Sequence, residues 1–155
     1  MSRRDLIKLT PEEIDAFLDE QRVMIATTNG VRGWPHSMPL WYLARDGETW
    51  AWTYGKSQKV MNLERDPRTT ILIETGDAYA ELRGVMFETE VVLHRDPETV
   101  SKFARELGSR YSKETGVEGD AAEDAFALQV AKRVVMQFVP VRTTSWDHRK
   151  LAGTY

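Results

Sequence analysis

Apolar residues keep two different spacings along the chain. In Thr10-Pro11-Glu12-Glu13 a capping box with proline at the first helical position precedes Ile14, Phe17 and Leu18 at helical spacing, which predicts a short helix ending near Glu20. The pattern then changes to segments rich in β-branched and aromatic residues: VMIATT from Val23, HSMPLWYLA from His36 and ETWAWTY from Glu48. Asn29-Gly30 to Gly33 and Arg45-Asp46-Gly47 separate them, so three strands joined by tight turns are expected. Ser57 is placed to cap a short helix with Val60 and Leu63 facing inward, and Asp66-Pro67 ends it, because the residue before proline avoids the α region.

A fourth strand, TTILIET, follows from Thr69. Tyr79 to Leu93 reads as one long extended run, with Gly84 predicting a bulge or bend at a barrel corner. Asp96-Pro97-Glu98 opens a helix whose apolar stripe is Val100, Phe103, Ala104 and Leu107. Ala121 to Lys132 reads as helix and RVVMQFVPVRTT from Arg133 as the final strand, while Ser109 to Asp120, with Gly108, Gly116 and Gly119 in or beside it, is the expected mobile loop. Six or so strands with helices between and around them predict a mainly β protein built as a closed or partly closed antiparallel barrel, not a βαβ winding.

With 155 residues and 41% hydrophobic content the chain fits a single domain spanning 1–155. A chain of this size buries roughly 70% of its unfolded surface, enough for a sizeable core. The formal net charge of -3 gives no overall electrostatic footprint for nucleic acid or an anionic membrane, so any basic site must be local. The absence of cysteine excludes disulfides, thiolate zinc sites and a catalytic thiol. MSRRDLIKLTPEE carries no apolar run behind its basic residues, and no segment approaches a membrane span, so a soluble cytoplasmic protein is expected.

Gly55-Lys56-Ser57 has the tail of a P-loop, but Trp50 stands where that motif needs its first glycine, which rejects a nucleotide triphosphatase. What remains is a glycine, a hydroxyl and free backbone N–H groups at a helix start, with Lys56 and Lys59 beside them, a set that suits a phosphate. Solvated surface lysines are the ordinary alternative, although a cation at a helix N-terminus is disfavoured by about 0.3 to 1 kcal/mol. Five tryptophans are present; Trp50 and Trp52 share one strand face and Trp41 lies on the strand before, so a barrel core or dimer interface is expected, with walls that a planar ligand could share. His36, His94 and His148 lack metal-ligand spacing, and Asp147-His148 has no nucleophile motif beside it. Lys132-Arg133 and Arg149-Lys150 read as solvated charges.

The run SQKVMNLERDPR from Ser57 to Arg68, taken with Gly33-Trp34-Pro35-His36-Ser37 before Met38-Pro39, resembles the pyridoxamine 5'-phosphate oxidase-like split β-barrel superfamily, most of all its actinobacterial deazaflavin reductases. The resemblance implies a homodimer of split barrels with two equivalent sites at the interface. It implies a cofactor phosphate held by Lys56, Ser57 and Lys59, with Val60 and Asn62 in the same helix, and a ring laid across His36, Ser37, Met38, Pro39, Trp52, Thr53 and Tyr54. Trp146, within Ser145 to Leu151, is expected to reach the partner's site. The implied activity is hydride transfer between coenzyme F420 and a small conjugated molecule, with FMN as the alternative cofactor, and Arg32 or Arg68 as basic residues for the longer acidic tail of F420. A non-catalytic flavin- or haem-binding barrel, with His94 or His148 as axial ligand, is the third reading. Catalytic residues stay unassigned, Tyr54 and His36 being guesses for a proton donor; Asp147-His148-Arg149 replaces the R-x-H arrangement of true pyridoxamine phosphate oxidases, so production of pyridoxal phosphate is not expected.

Overall fold

A computed structural model describes residues 3–115 and 128–151. After a first turn of helix, α1 (Arg3–Leu6), α2 (Pro11–Glu20) forms with the predicted capping box: Glu13 N–H donates to Thr10 Oγ1 at 3.3 Å and Thr10 N–H donates to Glu13 Oε2 at 2.7 Å. Seven strands follow in one antiparallel sheet: β1 (Val23–Asn29), β2 (Pro35–Trp41), β3 (Leu43–Arg45), β4 (Glu48–Tyr54), β5 (Arg68–Thr75), β6 (Arg83–His94) and β7 (Arg133–Asp147). Helix α3 (Gln58–Arg65) joins β4 to β5, and α4 (Pro97–Arg110) and α5 (Ser112–Thr115) follow β6. No helix among the described residues is long and apolar enough to cross a membrane.

The sheet order β2-β1-β5-β6-β7-β4-β3 puts β2 and β3 at opposite edges, yet Tyr42 alone joins them. One residue cannot bridge an open sheet, so the sheet curls until its edges meet, which is the split barrel. The expected single strand HSMPLWYLA is therefore two strands broken at Tyr42. Having left both ladders, Tyr42 finds other partners: its N–H donates to the Tyr111 hydroxyl at 3.1 Å, and that hydroxyl lies 3.0 Å from Tyr42 C=O and 2.8 Å from Arg22 C=O, sharing one proton between two carbonyls. The Tyr42 hydroxyl in turn donates to Leu18 C=O at 2.6 Å at the end of α2.

Alternation along the strands makes two apolar layers. Met24, Ala26, Ala51, Ile71, Ile73, Val85, Phe87, Met136 and Phe138 fill the barrel, closed at one end by Phe17 and Leu18 of α2 and reached by Leu63 of α3. Outside the sheet, Val100, Phe103 and Leu107 of α4 cover Leu43, Val135 and Tyr111, with Trp50 and Trp52 packed against them. The two tryptophans thus lie outside the barrel, under α4, and not in its core.

Other expectations shift as well. Tyr79–Glu81 is a 3-10 turn, and β6 begins only at Arg83. Gly84 keeps regular pairing, with Glu74 on one side and Trp146 on the other; it is glycine because a Cβ there would meet the Trp146 ring at 2.4 Å. The bulge lies on β7 instead, where Glu88 pairs with Arg142 and Thr89 with Pro140, leaving Val141 unpaired beside a proline that has no N–H to give. The expected mobile loop from Ser109 is helical through Thr115 with Tyr111 fully buried, and its remainder lies outside the described residues. The helix expected from Ala121 also lies outside them up to 127, and 128–130 are helical.

Tyr111→Phe strips the Tyr42 peptide and Arg22 C=O of their common partner while keeping the ring, which stacks on Trp41 at 4.5 Å. Leaving buried backbone groups unmet should lower stability by about 1 to 3 kcal/mol in urea unfolding. A variant as stable as the parent would mean that those groups find other partners.

Candidate functional site

β4 delivers Thr53 facing inward and Tyr54 facing outward, and the turn at Gly55 then leads into α3. Gly55 N–H donates to Lys132 C=O at 2.9 Å, and Ser57 N–H to Tyr54 C=O at 2.9 Å, so the turn is pinned to β7 and to itself. Ser57 is the N-cap of α3 by backbone position, but its side chain caps nothing, contrary to expectation; its Oγ accepts from Thr53 Oγ1 at 3.4 Å. The first N-terminal helical bond runs from Met61 N–H to Ser57 C=O at 3.2 Å, so the N–H groups of Gln58, Lys59 and Val60 precede the ladder and have no side-chain cap.

Lys59 points back into this end of the barrel. It is 9% exposed, its Nζ donates to Thr53 Oγ1 at 3.1 Å, and it has no carboxylate partner among the described residues. Burial, and then the positive charge of Arg133, push its pKa below the ordinary lysine value. A buried ammonium against a hydroxyl, with uncapped N–H groups at the same helix start, attracts an anion. Lys56 stands exposed on the same turn.

Arg133, read from sequence as a solvated charge, is the functional candidate that reading missed. It opens β7 opposite Tyr54, and its guanidinium lies over the rings of Trp52 at 4.7 Å and Tyr54 at 4.9 Å. Burial lowers its pKa too. The missed signal was pairing: only the register of β4 with β7 brings it to these rings. Beside it a cleft of about 460 Å³ is lined by Pro39, Leu40, Trp41, Trp52, Leu107 and Tyr111, among others.

The remaining predicted residues divide. His36 faces inward opposite Thr28 with its Nδ1 buried and unpartnered. Ser37 pairs with Thr27, their hydroxyls 2.8 Å apart, and Met38 is 41% exposed on the edge strand. Val60 and Asn62 have no exposed surface: Val60 belongs to the core, while the Asn62 amide donates to Thr28 Oγ1 at 3.0 Å and accepts from Gln58 Nε2 at 2.9 Å. They support the site from behind. Trp146 lies on the same strand as Arg133 but thirteen positions on, roughly 40 Å away at strand rise. Arg68 is held by Asp66, its Nη2 2.7 Å from Oδ2, and that contact with Asn29 keeps the Asp66 carboxyl below the usual carboxylate range. His94 Nε2 is 2.9 Å from Gln137 Oε1 with its ring stacked on Trp50, and His148 Nδ1 is 2.8 Å from Tyr79 C=O. Among the described residues no group of three or more metal-ligating side chains comes together.

A family model described as pyridoxamine 5'-phosphate oxidase matches residues 10–147. No curated protein matches. Among solved structures, the conserved hypothetical protein Rv2991 from Mycobacterium tuberculosis is 38% identical, with a TM-score of 0.87 over 100% of this chain and 95% of that one. HutZ, the haem storage protein from Vibrio cholerae, is 15% identical with a TM-score of 0.66, over 85% of this chain and 90% of its own. An F420 reductase is 20% identical with a TM-score of 0.63, over 86% of this chain and 98% of its own. At such identities the last two share the fold and no more.

The buried ammonium has a pH signature. Because the folded pKa of Lys59 lies below the ordinary lysine value, the unfolded chain binds more protons between the two, and stability should rise with pH across that window. Urea unfolding of the cofactor-free protein at several alkaline pH values should show this rise in the parent and a flatter profile in Lys59→Met. Coincident profiles would contradict it.

Proposed function

The chain belongs to the pyridoxamine 5'-phosphate oxidase family, and from that premise we propose that it is an oxidoreductase holding the phosphate of a flavin-type cofactor at the start of α3, with F420 preferred and FMN the alternative. Flavin-type cofactors are what this family binds. The observation that carries the proposal is Lys59, a buried cation with a hydroxyl but no carboxylate beside it, at an uncapped helix start. An anionic group supplies the missing counter-charge, and the residues present fit a phosphate.

When bound, the cofactor supplies hydride chemistry for a small conjugated substrate. The chain's own residues bind and orient. Lys59 and Lys56 neutralise the phosphate, and the Thr53 and Ser57 hydroxyls with the first N–H groups of α3 give it direction. The Asn62, Thr28 and His36 chain of contacts ties α3 to β2, so the phosphate end and the strand under the ring are set by one network. His36 Nδ1, buried without a hydrogen-bond partner, is available to a group of the ring. The haem reading has less support, since His94 is stacked on Trp50, His148 packs against Tyr79, and neither lines the cleft beside Trp52. Nothing at the phosphate end separates F420 from FMN, and Arg68 is committed to Asp66.

A homodimer is part of the proposal. β2 is an edge strand with Ser37, Met38, Pro39 and Trp41 exposed, and a second copy would cover it. Trp146, remote from its own chain's Lys59 turn, would then serve the partner's site.

Parallel titration of the cofactor-free protein with oxidised F420 and with FMN, read by tryptophan quenching, tests the cofactor. Saturation at micromolar F420 but not FMN supports the deazaflavin reading, the reverse order supports FMN, and saturation by neither overturns both. Lys59→Ala should weaken the bound cofactor by about 1.5 to 3 kcal/mol, the range of a charge-assisted hydrogen bond. Sedimentation equilibrium at micromolar concentration should give twice the chain mass; a monomer would remove the shared site.

A further inference from the structure

The cleft beside Trp52 has a character that the phosphate site does not explain. Its walls are aromatic and aliphatic, Arg133 and Gln129 are polar side chains in its lining, and among the described residues none that lines it is acidic. The Arg133 guanidinium lies against the Trp52 and Tyr54 rings, its Nε is buried with no hydrogen-bond partner, and its Nη2 donates to the neutral Gln129 Oε1 at 2.7 Å. No carboxylate among the described residues pairs with it. Arg133 is thus a fixed, half-buried cation at the wall of an apolar cleft, and Lys59 adds repulsion rather than relief. Attraction to an anion is stronger there than in water, because the dielectric is lower.

We propose that this cleft binds a planar substrate bearing a carboxylate, with the acid paired to Arg133 and the ring laid on Trp52. A planar guanidinium fork matches a carboxylate better than a point charge would, and the indole face offers the stacking surface. About 460 Å³ lies toward the small end of ligand sites, room for a one- or two-ring acid. The inference rests on the cofactor reading only in calling the ligand a substrate.

Calorimetric titration of the full chain with 4-nitrobenzoate and with its uncharged analogue 4-nitrobenzamide tests it. The parent should bind the acid at least tenfold more tightly than the amide. Arg133→Met, which keeps the stem over Trp52, should reduce that preference below threefold, and Arg133→Gln should do the same, circular dichroism confirming that each is folded. Equal affinity or no binding in the parent, or a preference that survives in either folded Arg133 variant, would overturn the proposal. So would displacement of the acid by whichever cofactor saturates the protein, since the cleft would then belong to the cofactor's ring. A protein that takes the acid as described but neither F420 nor FMN would retire the cofactor reading and leave a carboxylate-binding cleft.

Discussion

A single phenol oxygen, that of Tyr111, sits where the barrel would otherwise come apart. The chain passes from edge strand β2 to edge strand β3 through Tyr42, and the Tyr42 peptide, excluded from both ladders, is satisfied by that oxygen. The same oxygen reaches Arg22 at the start of β1, while the neighbouring Arg110 donates to Leu18 and Gln21 carbonyls beyond α2, a cation at a helix C-terminus where the dipole favours it. The end of α4 therefore fastens α2, the seam of the sheet and one side of the cleft at once. Leu107 and Tyr111 line that cleft, so the device that closes the barrel also shapes the space beside Trp52.

Charge is distributed by the same economy. Most arginines meet acids or carbonyls, as Arg83 meets Glu20 and Arg149 meets Asp147. Lys59 and Arg133 do not, and both are at the end of the β4 and β7 pair. A cation in the first turn of α3 and another at the start of β7, neither with a carboxylate partner among the described residues, are costly in a fold with no use for them, which makes them the strongest candidates for a functional role.

Local chemistry carried much of this into the sequence. The Thr10 capping box, the Asp96-Pro97 start and the Asp66-Pro67 stop each act within a few residues, and the helices they bound are where the pattern put them. Lys56, Ser57 and Lys59 could be grouped from the sequence for the same reason, being one turn of chain. What escaped was set by partners distant along the chain: the break at Tyr42 depends on Tyr111, the glycine at 84 on Trp146, and the worth of Arg133 on the rings of β4. Solvent exposure cannot be read from residue type either: Asn62 and Val60, expected among the cofactor contacts, are fully buried.

The unpaired Val141 sets a phase. Before it, Val134, Met136 and Phe138 turn into the barrel; after it, Thr143 and Ser145 share the face of Phe87 and Val85, so odd positions have replaced even ones. Strand β7 is in effect written in two reading frames, with the junction at Pro140 and Val141. Loss of one residue there would leave the composition almost untouched and yet invert every side chain beyond it, carrying Trp146 off Gly84 to the opposite face of the sheet.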